Sequence, residues 1–183
     1  MTPFSALFVD RDGTVIENVG YPSDPAQVRL LPGAAEALRK VRGHGLPIVM
    51  VTNQSGIGRG RLDRAAFDSV QAEVVARLRA AGAGLDAVYV CPHAPDAGCG
   101  CRKPAPGLFD RAASEHGIDL GRALYVGVRL RDVVVGLERG GRAVVVESGA
   151  AVPDELPDGV LRAQDLAEAV DRALAEPRRE GGA

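Results

Sequence analysis

The sequence predicts an α/β domain in which a mostly parallel sheet carries helices on both faces. Three observations lead there. Apolar runs of strand length alternate with helical stretches from one end of the chain to the other, as in sheets built from parallel strands and crossover helices. At 183 residues the chain is long enough to bury one full core. Its first apolar run stops at Asp10-Arg11-Asp12-Gly13-Thr14, a charged turn placed where open α/β sheets meet their ligands.

Taken in order, residues 4–9 (Phe-Ser-Ala-Leu-Phe-Val) read as the first strand. Residues 15–32 form the longest irregular connection, punctuated by Gly20, Pro22, Pro25 and Pro32; no insertion is large enough for a separate cap domain. A helix follows over 33–43, then a strand over 46–51. The helix expected at 63–81 is the clearest. Phe67, Val70, Val74, Leu78 and Ala81 recur at spacings of three and four and form one apolar stripe. Asp63 can cap its start, and Gly82 or Gly84 can stop it. Strands over 86–91, 123–127 and 142–147 alternate with helices over 107–117, 131–139 and 165–175. Residues 1–176 make one domain, and 177–183, polar and rich in Gly and charge, make a frayed tail.

Composition narrows the partners. The net charge of −2 supplies no basic field for nucleic acid or anionic membrane. No apolar run approaches membrane-spanning length, and nothing at the N-terminus resembles a signal peptide. The expectation is a cytoplasmic monomer acting on a small molecule. Basic residues are nearly all Arg; Lys occurs only at positions 40 and 103, and Lys103 stands in the charged stretch Cys101-Arg102-Lys103-Pro104.

Asp10 and Asp12 lie two apart on an extended segment, so their side chains point the same way. Two carboxylates that close repel and raise a pKa unless a cation lies between them. The pair therefore implies a metal, a division of acid and base roles, or both; an ordinary Asp-rich turn is the bland alternative. A second cluster follows the second strand: Thr52-Asn53-Gln54-Ser55-Gly56-Ile57-Gly58-Arg59-Gly60. A hydroxyl, an amide and a glycine turn on the same sheet edge can cradle a phosphate. A plain turn is the alternative there, and a solvated charge the alternative for Arg59.

The chain's three cysteines and one of its three histidines fall within eleven residues, as Cys91, His93, Cys99 and Cys101. Four ligands of this type make a closed tetrahedral zinc site, structural because no position stays open for water. The alternative is three reduced thiols, since an odd count argues against disulfides. Arg102 and Lys103 follow directly, where zinc would pin them at the pocket mouth. His44 and His116 sit near helix ends and receive no function.

Together these motifs resemble the haloacid dehalogenase (HAD) phosphatases. Residues 4–14 resemble that family's first motif, and Thr52-Asn53 and Lys103 its second and third. The resemblance implies a HAD-like, Rossmann-type fold and a Mg²⁺-dependent phosphomonoester hydrolase. Asp10 is then the nucleophile, and Asp12 the general acid/base. Thr52, Asn53 and Lys103 hold the phosphoryl group, and Arg59 and Arg102 contact the rest of the substrate. DRDGT, TNQSGIGRG and the Cys-Pro-His…Cys-x-Cys-Arg-Lys-Pro stretch resemble the D-glycero-D-manno-heptose 1,7-bisphosphate 7-phosphatases and the related histidinol-phosphate phosphatases. Ser55 and Gly58-Arg59-Gly60 look more like the heptose branch, and the substrate class implied is a phosphosugar.

One position departs from the pattern. The fourth motif should read Val-Gly-Asp-x-x-x-Asp, but the chain has Val126-Gly127-Val128-Arg129-Leu130-Arg131-Asp132. By the resemblance Mg²⁺ takes an Asp10 oxygen, the Asp12 carbonyl and the carboxylate that Val128 replaces. Mg²⁺ requires six oxygens in near-octahedral geometry, so valine implies weakened binding. Four outcomes stay open: Asp132 as substitute ligand, a weak phosphatase, a silent phosphosugar-binding relative, or an altered position.

Overall fold

The computed structural model describes residues 4–175. Six strands, β1 (Leu7–Val9), β2 (Ile48–Asn53), β3 (Ala87–Cys91), β4 (Leu124–Gly127), β5 (Arg142–Val146) and β6 (Val160–Ala163), pair in the order β3-β2-β1-β4-β5-β6. Every pairing is parallel, so the expected sheet is present. The helices are α1 (Ala34–Gly43), α2 (Ser55–Gly58), α3 (Arg64–Ala80), α4 (Gly107–His116), α5 (Leu130–Glu138) and α6 (Leu166–Ala175). Sequence reading misses the short α2 and β6. The latter is four residues carrying an arginine, set after a Pro- and Asp-rich stretch that carries no strand-like period.

Alternation along the strands divides the core in two. Leu7 and Val9 pack with Leu38 of α1, Val70 and Val74 of α3 and Val170 of α6. Phe8, between them, points to the opposite face and joins Phe109 of α4, Tyr125 and Val133 of α5. Its ring meets Phe109 edge-on at 5.2 Å and stacks on Tyr125 at 5.0 Å, geometries favoured by the aromatic quadrupole. Helix α3 keeps its expected limits: Asp63 accepts from the Ala65 and Ala66 amides, and Gly82 beyond it has φ +71°.

Residues 15–32 leave β1 as a pinned flap, not a cap domain. Val15, Ile16 and Val28 are buried, and Ile16 bridges Leu30. Strand order reverses at β1, which has β2 on one side and β4 on the other, so a crevice opens at the carboxyl ends of β1 and β4. Among the described residues no helix is long and apolar enough to cross a membrane. The expected tail at 177–183 lies outside the described residues, as do residues 1–3 and 176 of the expected 1–176 domain.

Candidate active site

Chain topology places the first two acids. β1 ends at Val9, and the next turn is tight: the Val15 and Ile16 amides both donate to the Arg11 carbonyl. Gly13 has φ +81°, and a Cβ there would come within 2.7 Å of the Gly149 Cα. Glycine is required on both counts. The Ser148 hydroxyl donates to the Gly13 carbonyl at 2.7 Å and ties the turn to the loop after β5.

Asp10, Asp12 and Asp132 line one cavity of about 320 Å³ with Asn53, Gln54 and Val128. The flap supplies Asn18, Gly20 and Tyr21 to its rim, and Arg129 and Arg131 flank it. Lys103, only 2% exposed, comes from the loop after β3. Its ammonium donates to Asp10 Oδ1 at 2.7 Å, the Val51 carbonyl at 2.6 Å and Asp132 Oδ1 at 2.9 Å, which engages all three of its protons. Asp132 Oδ2 accepts from the Arg129 amide at the start of α5. Gly127 permits that approach, since a Cβ there would lie 2.4 Å from the Asp132 Cβ.

Two buried acids sharing one ammonium set the electrostatics. Burial, then the neighbouring Asp132 carboxylate, pushes Asp10 up to about 7 against the pull of Lys103. Burial opposes the Lys103 charge, but Asp10 and then Asp132 outweigh it and hold its pKa above the ordinary lysine value.

Asn53 holds Lys103 in place: its amide donates to the Lys103 carbonyl and its oxygen accepts from the Lys103 amide, both at 3.1 Å. Thr52 is buried with its hydroxyl accepting from Gln54 at 2.8 Å. Arg59 and Arg102 are not among the residues lining the cavity; one buried guanidinium nitrogen of Arg102 has no hydrogen-bond partner. The Ser55 hydroxyl, and then Arg59 and Arg61, hold the Tyr21 pKa low. The Tyr21 ring covers Gly56, where a Cβ would meet it at 2.5 Å.

Sequence reading assigned no role to Arg11, Gln54, Gln71 or Tyr21. Only Gln54 carried a signal, lying two residues past Thr52 at a strand end.

Two donor sets suit metals. The cavity is lined by Asp10, Asp12 and Asp132, whose carboxylate and carbonyl oxygens are hard donors that fit Mg²⁺, and Val128 adds only an apolar wall. The four ligand atoms of Cys91, His93, Cys99 and Cys101 lie within 4.8 Å of one another. Sulfur pairs stand 3.3–3.7 Å apart, close to the edges of about 3.7 Å that tetrahedral Zn–S bonds of about 2.3 Å produce.

A doubly wound sheet that delivers paired carboxylates and a buried lysine to its switch point defines a HAD-type phosphatase. The HAD-hydrolase-like family model matches residues 100–173. The chain is 32% identical over 175 residues to D-glycero-beta-D-manno-heptose-1,7-bisphosphate 7-phosphatase of Bordetella bronchiseptica, a match spanning 93% of this chain and 98% of that one. It is 40% identical over 156 residues to the enzyme of that name from Mesorhizobium japonicum, covering 80% and 71% of the two chains. The crystal structure of the D,D-heptose 1,7-bisphosphate phosphatase from B. bronchiseptica, complexed with magnesium and phosphate, superposes with a TM-score of 0.84 over 92% of this chain and 98% of that one, at 32% identity. The chain belongs to the family of D-glycero-D-manno-heptose-1,7-bisphosphate 7-phosphatases within the HAD-like hydrolases.

Proposed function

We propose that this chain removes the 7-phosphate of D-glycero-D-manno-heptose 1,7-bisphosphate with Mg²⁺ as cofactor. The observation that carries the chemistry is the convergence of Asp10, Asp12 and Lys103 where β1 ends. The substrate rests on the named relatives.

In the first step an Asp10 oxygen attacks phosphorus in line and the phosphorus–oxygen bond to the sugar breaks. Asp12 gives its proton to the departing alkoxide. The aspartyl-phosphate is then hydrolysed: Asp12 takes a proton from water, the hydroxide oxygen bonds phosphorus, and the Asp10 carboxylate leaves with both electrons. A carboxylate nucleophile divides one hard displacement into two easier ones. Thr52 and the Asn53 backbone hold phosphoryl oxygens, while Lys103 balances their charge and that of Asp10; a loose transition state depends chiefly on such positioning. When bound, Mg²⁺ supplies further charge neutralisation beside Asp10, the Asp12 carbonyl and Asp132. Arg59 and Arg102 contact the distal part of the substrate.

Zinc on Cys91, His93, Cys99 and Cys101 has a structural role, fixing the loop that delivers Lys103. The working unit is a cytoplasmic monomer of one domain with no nucleic-acid or membrane partner; an odd number of cysteines gathered in one cluster able to hold a metal supports a reducing compartment.

Phosphate release from heptose bisphosphate in MgCl₂, with histidinol phosphate as competitor, tests the assignment. Heptose bisphosphate turnover that Asp10→Asn abolishes is expected. Faster release from histidinol phosphate would move the chain to the other branch.

A further inference from the structure

Among the described residues Arg11 is the largest fully buried side chain, at 0% exposure, yet it holds neither the nucleophile nor any group assigned to phosphate. Its guanidinium forks onto the neighbouring acid, Nε to Asp12 Oδ2 and one terminal nitrogen to Asp12 Oδ1, each at 3.0 Å. The other terminal nitrogen donates to Gln71 Oε1 at 3.3 Å, and the planar group lies 5.2 Å from the centre of the Phe67 ring. Gln71 in turn donates to Met50 Sδ at 3.6 Å, which fixes its amide. Phe67 and Gln71 are one helical turn apart on α3, and neither is among the residues lining the cavity. From the other side the Gln54 amide nitrogen donates to Asp12 Oδ2 at 2.8 Å while holding Thr52 Oγ1 at 2.8 Å.

These contacts make the two Asp12 oxygens unequal. Oδ2 accepts two hydrogen bonds, as many as a carboxylate oxygen has lone pairs, whereas Oδ1 accepts one. An isolated buried guanidinium is costly, and an apolar side chain of that volume would fill the space without the desolvation penalty. What the fork adds is orientation, since its donors are rigid and planar.

We propose that Arg11 and Gln54 are positioning residues that lock the Asp12 carboxylate with Oδ1 as its working oxygen, and that Phe67 and Gln71 on α3 complete the device. The inference rests on the phosphatase reading above and deepens it. Because Asp12 acts in both chemical steps while the substrate is held elsewhere, the Arg11 fork governs turnover and leaves ground-state binding alone; Gln54 also holds the Thr52 hydroxyl, so its loss touches both.

Arg11→Lys keeps the charge but loses the fork. Gln54→Leu frees one lone pair of Oδ2. For each, steady-state kinetics with heptose bisphosphate is expected to show kcat down about 100-fold, the scale of a misplaced reacting group, and for Arg11→Lys KM stays within threefold of the parent. Gln71→Leu, one contact further out, lowers kcat about tenfold in the same pattern. Crystal structures of Arg11→Lys and Gln54→Leu are expected to show the Asp12 carboxylate rotated about its terminal bond.

A folded Arg11→Lys chain with parental kcat overturns the proposal, as does a rise in KM at unchanged kcat. Should Arg11→Lys fail to fold, Gln71→Leu, which leaves Thr52 untouched, carries the same two readouts. Absence of any turnover by the parent counts against the phosphatase reading instead. The crystallographic orientation of Asp12 then decides the lock alone, and an unrotated carboxylate in both variants overturns it.

Discussion

Val128→Asp tests the electrostatic account of the site most directly. Val128 is 5% exposed and shares its cavity with Asp10, Asp12 and Asp132. A carboxylate there adds a fourth acid to a cavity in which Lys103 and Arg11 already pair with the other three, and replaces a methyl that sits 3.2 Å from the Cβ position of Gly13. Without divalent cation the substitution costs about 2 kcal/mol, the scale for burying an uncompensated polar group. In a domain of this size that lowers Tm by about 4–8 °C. With Mg²⁺ the sign reverses, because the new oxygens supply the vertex that valine cannot. Tenfold tighter binding is worth about 1.4 kcal/mol and recovers much of the loss at saturating metal. Calorimetric titration with MgCl₂, paired with melting curves in EDTA and in Mg²⁺, reads both effects. Phosphate release at limiting Mg²⁺ is expected to rise by about 10-fold or more. Equal Mg²⁺ affinity and equal turnover in the two chains would show that Val128 does not limit the metal site.

The raised Asp10 pKa fixes a pH dependence. Its folded value of about 7 lies well above the ordinary carboxylate value of 3.8, so the metal-free folded state binds that proton more tightly than the unfolded state. The contribution is fully present below about pH 4 and is lost as pH rises through 7. Denaturant midpoints in EDTA should show the parent-minus-Asp10→Asn stability difference falling over that window, and a rise would contradict the assignment. Elemental analysis is expected to find one zinc per chain, and Cys99→Ser to lower both zinc content and kcat by releasing the loop that carries Lys103. A zinc-free chain of full activity excludes that coupling. Gly127→Ala forces a Cβ to 2.4 Å from the Asp132 Cβ and should cost about 1–3 kcal/mol by overpacking, with kcat reduced as Asp132 leaves Lys103. An unchanged Tm would mean that the β4–α5 turn yields at no cost.

Much of the architecture is legible locally. Helix α3 declares itself because its apolar residues keep a helical period between an Asp cap and a glycine stop, and β1, β2 and β4 because they are buried on both faces. β6 escapes notice because four residues with one arginine carry too little period to separate from loop. In the site, Asp10 and Asp12 are readable from a two-residue spacing, and the metal-type cluster from four ligands within eleven residues. Asp132 is visible in sequence only as a possible metal ligand; the fold makes it the second partner of Lys103.

Taken alone, the amino-acid order determined the strand–helix alternation, the paired acids at the end of β1 and the cysteine–histidine loop, since each depends on neighbours a few residues apart. Tertiary packing decided which distant groups complete them. Lys103 reaches Asp10 across 93 residues, and Gln71 reaches Arg11 across 60. Such contacts depend on how the sheet twists and where its helices settle, and no local spacing encodes that. The identity of the residues was written in the chain; their pairing, and with it the charge each carries, arose only when burial brought them together.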